Sequence, residues 1–255
     1  MDKRSELRSA IEELSTLPKV EAAPGNLDAA HIPTKPFLHV CLLILHVLGH
    51  FLLLLFLLIS LPTYKIGPTM AVLGQDIHQN IQRLEILCES DPTRYSNMIE
   101  ILKKEDREGN ARNSTSSRAI LWLTRSIDFM VVLLQRLVKD PGQRMEQAVE
   151  ESYNVTLKQW HGWISSAAFK VALKLVPDNE TFITLLMTED ENRDKLREDM
   201  QTLVSLLVPL LEDIHSILVR MFVNLYQFPV SSLLLDAYFL NNTQRVYGLD
   251  RLKST

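Results

Sequence analysis

A chain of 255 residues, 46% hydrophobic and 23% charged, is long enough for one domain of generous size or a small domain with appendages. Its formal net charge of -4 provides no basic field, which excludes a nucleic-acid binder held by phosphate contacts. Two cysteines, Cys41 and Cys88, are too few for a disulfide framework and too far apart for a metal knuckle, so both read as reduced structural residues.

Glycine is scarce and apolar residues recur at helical spacing, so the expected class is all-α. Residues 1–34 carry Pro18, Pro24 and Pro33 among scattered charges and read as a flexible leader, with one short helix over 7–17. The domain is expected to begin at Lys35. From Phe37 to Leu61 the chain is apolar over roughly one bilayer thickness, although His39, His46, His50 and Gly49 dilute a transmembrane reading. Helices are then expected over 66–88, 92–107, 116–139, 143–175, 178–187 and 192–218. Asp91-Pro92, Pro141-Gly142 and Pro177-Asp178 separate them as turn dipeptides. From Val219 to Gln244, aromatic and apolar residues crowd together without clean periodicity, unlike the helices before them.

Three of these helices carry polar groups that invite a binding role. Asp76, Asn80 and Arg83 fall at i, i+4 and i+7, on one stripe beside the apolar stripe of Ile77, Ile81 and Leu84. They read either as a solvated face or as an acceptor, an amide and a donor fork suited to sugar hydroxyls. Arg118, Trp122 and Arg125 share a face of a helix that is apolar nearly all round, which fits a polar pocket wall or arginines that snorkel or pair with carboxylates such as Asp128. His161 lies in Trp160-His161-Gly162-Trp163, expected in mid-helix, where Gly162 would cost about 1 kcal/mol against alanine and needs a reason such as the close approach of another helix or a ligand. The chain has no Gly-rich phosphate loop, no nucleophile elbow and no zinc-binding helix motif, so neither an enzyme nor a cofactor or metal is expected.

Taken together, these segments resemble the glycolipid transfer protein family, most closely its plant-type members. The matching stretches are Lys35-Pro36-Phe37-Leu38, Lys65-Ile66-Gly67-Pro68-Thr69-Met70 leading to Asp76-Ile77 and Asn80-Ile81, Leu121-Trp122-Leu123-Thr124-Arg125, Tyr153, and Trp160-His161-Gly162-Trp163. The resemblance implies a two-layer, all-α sandwich with a sugar-headgroup site above a hydrophobic tunnel for the ceramide chains. It implies a monomeric cytosolic carrier that touches membranes transiently and performs no chemistry. By motif position, Asp76 would bind the ceramide amide and first sugar, and Asn80 and Arg83 would hold sugar hydroxyls. Trp122 would stack on the sugar and His161 would meet the ceramide carbonyl, with Tyr153 and Arg125 as supports. Relatives that bind ceramide-1-phosphate carry a cation at the Asn80 position and arginine in place of Trp122, which favours a glycosylceramide here. Arg118, one turn before Trp122, is shared with that phosphate-binding branch and keeps a ceramide-1-phosphate carrier as the alternative.

The chain departs from the family pattern at 49–64 and 219–244, which interrupt the 35–255 domain as insertions. The ends of the second, Val219-Arg220-Met221 and Thr243-Gln244, can be encoded by splice-site-like codons and Phe51 to Leu58 of the first by a pyrimidine-rich tract, so both are expected to be translated introns, with genuine insertions as the alternative. A single-pass, membrane-anchored interaction protein using 37–61 is the alternative from another class.

Overall fold

Turn chemistry in the sequence sets the helix boundaries. The computed structural model describes residues 6–17, 31–43, 67–107, 115–174, 176–187 and 192–226. Helix α1 spans Glu6–Thr16, and α2 occupies residues 34–43. Helix α3 runs over Gly67–Ser90, α4 over Pro92–Tyr95 and α5 over Met98–Arg107. Helices α6 (Thr115–Lys139) and α7 (Met145–Val155) follow, then a single 3-10 turn at Lys158–Trp160. The last three are α8 (Trp163–Leu173), α9 (Asn179–Leu186) and α10 (Arg193–Tyr226). No strand occurs among the described residues; one antiparallel bridge joins Pro33 to Asn97.

The caps explain the starts. Asp91 accepts from the Arg94 amide with Pro92 entering the first turn of α4, and Asp178 accepts from the Thr181 amide at 2.8 Å to start α9. The start of α6 is capped from a distance. The Glu105 carboxylate on α5 accepts from the amides of Ser116 and Ser117 at 2.9 and 2.8 Å, placing negative charge on the positive end of the helix dipole. After α6, the Asp140 carboxylate accepts from the Gly142 amide and closes the turn into α7.

Helix α6 is the hub and packs against α10, α3, α7 and α5. Its Ile120, Leu123, Ile127, Val131 and Leu134 are buried, and on α10 the stripe Leu196, Met200, Leu203, Leu207, Leu211, Ile214 and Leu218 meets the same core. Asp128 of α6 and His215 of α10 are joined at 2.8 Å, tying the two long helices where both are part-buried. Cys41 and Cys88 are free and buried, and burial pushes the Cys41 thiol above its ordinary range.

Four expectations change. The short helix expected over 7–17 is present as α1, but it is not part of a loose leader: Leu7, Ala10 and Leu14 are buried in the main core against α10, and Arg8 pairs with Asp199 at 2.9 Å. A helix this short is marginal on its own, and the partner surface on α10 is what holds it in the core. Secondly, Phe37, Leu38, Val40, Cys41 and Leu43 are buried in that core, so the described start of the 37–61 run faces protein. Its remainder, and the insertion at 49–64, lie outside the described residues. Among the described residues, only Arg193–Val219 is long and apolar enough to cross a membrane, and its apolar stripe is the α10 contribution to the core. Thirdly, α10 continues to Tyr226, so the stretch beginning at Val219 starts as helix; residues 227–244 lie outside the described residues. Finally, the helix expected over 143–175 is broken: α7 ends at Val155 and α8 starts at Trp163.

Candidate functional site

The break after α7 builds the site. Ser152 and Thr156 turn their hydroxyls onto the carbonyls of Ala148 and Ser152, and the chain leaves α7 through the 3-10 turn. His161 follows with extended backbone, and Gly162 is the N-cap of α8. Gly162 therefore sits outside a helix. A Cβ there would meet open space, and its φ of -71° is ordinary, so no helix approaches it closely. The local kink lifts Trp160, His161 and Trp163 away from a helical stripe and turns the first two toward α6.

On α6, Arg125 stands with its guanidinium 5.0 Å from the centre of the Trp122 ring and 3.7 Å from that of Trp160. The Trp122 and His161 rings approach to 5.7 Å between centroids with a tilt of 34°. On the other side of His161, the Tyr153 hydroxyl lies 3.1 Å from Nδ1, and the Tyr153 ring stacks on Phe169 of α8 at 3.5 Å and 8°. Five residues from two separate segments, 122–125 and 153–161, thus form one continuous group: Arg125, Trp122, His161, Tyr153 and Trp160. Burial first, then the Arg125 charge, holds the His161 imidazole below its usual pKa, which favours the neutral ring.

The second group lies on α3, which packs against α6 and touches α8. Asn80 is only 6% exposed, and its side-chain carbonyl accepts from Arg83 at 3.2 Å. That bond uses one lone pair of the amide oxygen; the amide nitrogen of Asn80 and the guanidinium of Arg83 also carry further N–H donors. Asp76 is on the same helix one turn earlier; its side chain lies outside the described residues. Arg118 is exposed on α6, one turn from Trp122. The stripe of Arg118, Trp122 and Arg125 is therefore split: the aromatic plate is joined to Arg125, while Arg118 stands at the solvent end.

Two contributors were not legible as site residues. Ser166 and Phe169 sit on α8 around Tyr153, and nothing in their sequence context marks them. Trp160 was visible in the Trp-His-Gly-Trp run, but only the 3-10 turn puts it across Arg125. Among the described residues no group of three or more His, Cys, Asp or Glu side chains could hold a metal ion. An aromatic plate and a neutral imidazole, with polar donors on the neighbouring α3, suit recognition of a neutral or weakly polar ligand by stacking and hydrogen bonds.

Comparison with known proteins shows the family, and the solved neighbours include binders of both glycosphingolipid and ceramide-1-phosphate. Residues 32–188 match the family model described as Glycolipid transfer protein. Glycolipid transfer protein 3 of Arabidopsis thaliana is 54% identical over 222 residues, covering 85% of this chain and 89% of that protein. Glycolipid transfer protein 2 of the same plant is 50% identical over 217 residues, covering 85% and 90%. Among solved structures, the Arabidopsis accelerated-cell-death 11 protein with bound C12 ceramide-1-phosphate superposes with a TM-score of 0.69 at 17% identity, over 86% of this chain and 96% of that one. A structure of FAPP2, described as selecting simple glycosphingolipids with the same fold, superposes with a TM-score of 0.65 at 22% identity, over 88% and 95%.

Proposed function

This chain belongs to the glycolipid transfer protein family, whose members are lipid carriers and not enzymes, and we propose that it moves a glycosylceramide between membranes from the cytosol. The observation that carries the choice of headgroup is Trp122, braced by Arg125 and adjoining His161. An aromatic face stacks on the apolar face of a sugar ring, and donors at its edge read the hydroxyls. Asn80 and Arg83 supply those donors from α3, and Asp76 on the same helix is the acceptor for the ceramide amide. The two Arabidopsis relatives at 54% and 50% identity are named for glycolipid rather than ceramide-1-phosphate, which supports the same choice. The protein acts as a monomer with no cofactor. Trp163, 82% exposed and three residues from Trp160, is the side chain suited to transient contact with a membrane surface.

The second reading is a ceramide-1-phosphate carrier. Arg118 and Arg125 on one helix favour it, because a phosphate gains from charge-assisted donors. Transfer between vesicles of fluorescent glucosylceramide and of fluorescent ceramide-1-phosphate separates the two. Glucosylceramide transfer that exceeds ceramide-1-phosphate transfer, and that falls at least tenfold in Trp122→Ala, is the expected result. Unchanged glucosylceramide transfer by Trp122→Ala would remove the stacking role, and preference for the phosphate lipid would replace the first reading by the second.

A further inference from the structure

His161 has two ring nitrogens, and only one carries the proton when the ring is neutral. Which one does so is set by the hydrogen bond made at the other. Nδ1 has a defined partner. The Tyr153 hydroxyl is 3.1 Å away, and that same hydroxyl is 3.3 Å from the Ser166 Oγ on α8. Tyr153 has little freedom to move off this line, because it is 3% exposed and its ring is stacked on Phe169 at 3.5 Å and nearly parallel. The phenol has one proton to give, and imidazole Nδ1 is a more basic acceptor than a serine hydroxyl. The consistent chain runs from the Ser166 hydroxyl to Tyr153 to Nδ1, each donor polarising the next.

We propose that Tyr153, assisted by Ser166, is a positioning residue that fixes His161 in the tautomer protonated on Nε2, so that the ring presents a hydrogen-bond donor to the amide carbonyl of the bound lipid. The reverse tautomer would present a bare nitrogen to that carbonyl, lone pair against lone pair, and lose the contact. Burial and the Arg125 guanidinium, which disfavour a second proton on the ring, keep the choice between two neutral forms. Three elements cooperate in this device: α7 carries Tyr153, α8 carries Ser166 and Phe169, and the bend between them carries His161. The inference rests on the carrier reading for the identity of the carbonyl, but the tautomer itself is a property of the lipid-free protein.

The test is long-range proton–nitrogen correlation NMR on the full chain with labelled histidine, without lipid, followed by binding of glucosylceramide. The wild-type protein is expected to show the proton on Nε2. Tyr153→Phe keeps the stack on Phe169 and deletes only the hydroxyl; it is expected to move a substantial share of His161 to the Nδ1-protonated form and to weaken glucosylceramide binding about tenfold, as the loss of one well-placed hydrogen bond would. Ser166→Ala is expected to move both readouts in the same direction by less. A wild-type ring protonated on Nδ1 would overturn the inference whatever the variants do, as would nitrogen shifts in Tyr153→Phe and Ser166→Ala equal to those of the wild type. Should Tyr153→Phe fail to fold, the wild-type tautomer and Ser166→Ala still decide. Failure of lipid transfer with the expected tautomer intact would count against the carrier reading alone.

Discussion

The guanidinium of Arg125 lies 3.7 Å from the centre of the Trp160 ring, so one cation of α6 holds the segment that leads into His161. The same group is 5.0 Å from the Trp122 ring, which makes Arg125 the joint between the aromatic plate and the bend after α7. Arg125→Met keeps much of the stem and removes the charge. It is expected to cost about 1–2 kcal/mol in denaturant-induced unfolding, the worth of a part-desolvated cation–π contact. It is also expected to raise the His161 pKa part of the way back toward 6.5, because the Arg125 charge is the second of the two causes that lower it. An NMR titration of His161 in the variant checks this; an unchanged pKa would remove Arg125 from the electrostatics of the site.

The pH dependence of His161 has a definite sign. Its folded pKa lies below the ordinary 6.5, so between those two values the unfolded chain binds a proton that the folded chain does not. The contribution of this residue to stability is therefore constant above 6.5, falls as the pH drops through 6.5, and levels off below the folded pKa. The charged ring keeps its Nε2–H donor, so lipid binding is expected to show no break at pH 6.5, and any weakening from reversal of the Tyr153–Nδ1 hydrogen bond to appear only as the folded pKa is crossed. A glucosylceramide binding curve that breaks at 6.5 or higher in the wild-type protein would contradict the shift.

Gly162 is an N-cap with β-region backbone and no side-chain cap bond. Serine and aspartate are better N-caps than glycine, and the added Cβ meets open space. Gly162→Ser is expected to stabilise the protein by a few tenths of a kcal/mol and to leave glucosylceramide transfer within twofold of wild type. Chemical denaturation and the vesicle assay read both. A destabilised Gly162→Ser would contradict the open N-cap reading, whereas unchanged stability with lost transfer would mean that the glycine serves a contact which forms only with lipid or membrane present.

Leu7 is 1% exposed in the core although it is the seventh residue of the sequence. Leu7→Ala is expected to cost about 2–5 kcal/mol, as buried leucines do, and Arg8→Ala to cost less because the Arg8 side chain of the Arg8–Asp199 pair is substantially solvated. Urea unfolding monitored by tryptophan fluorescence measures both. A cost below about 0.5 kcal/mol for Leu7→Ala would return residues 6–17 to the status of a loose leader.

Trp163 supplies the membrane prediction. Replacing this largely exposed indole by alanine leaves the core untouched, so stability is expected to hold within about 0.5 kcal/mol while partitioning onto phosphatidylcholine vesicles falls severalfold. Equal sedimentation with vesicles for wild type and Trp163→Ala would dissociate the residue from membrane contact.

Much of the fold was legible because its causes are local. The Asp91-Pro92 and Pro177-Asp178 pairs start helices through caps formed within three residues, and the α10 stripe from Leu196 to Leu218 repeats at helical spacing over several turns. The family could be recognised for a related reason: Trp122, His161 and the Asn80 stripe occupy fixed places in an ordered pattern, and residues 32–188 carry it. The helix expected through 143–175 failed on a different point. Periodicity cannot distinguish a helix from two helices whose stripes nearly align across a bend, and only the packing of α7 and α8 against each other and of the intervening turn against α6 selects the broken form.

The sequence by itself determined the all-α class, the turn positions and the identity of the groups that could meet a sugar, because propensity, capping and side-chain chemistry are properties of the residues and their near neighbours. The tertiary structure decided what those groups do to one another. It set Arg125 between two tryptophans, gave Asn80 its partner in Arg83, and brought Tyr153 to the Nδ1 of His161. Ring contacts, ring protonation and the burial of α1 all depend on which surfaces of distant segments meet, and that is fixed only when the helices close around α6.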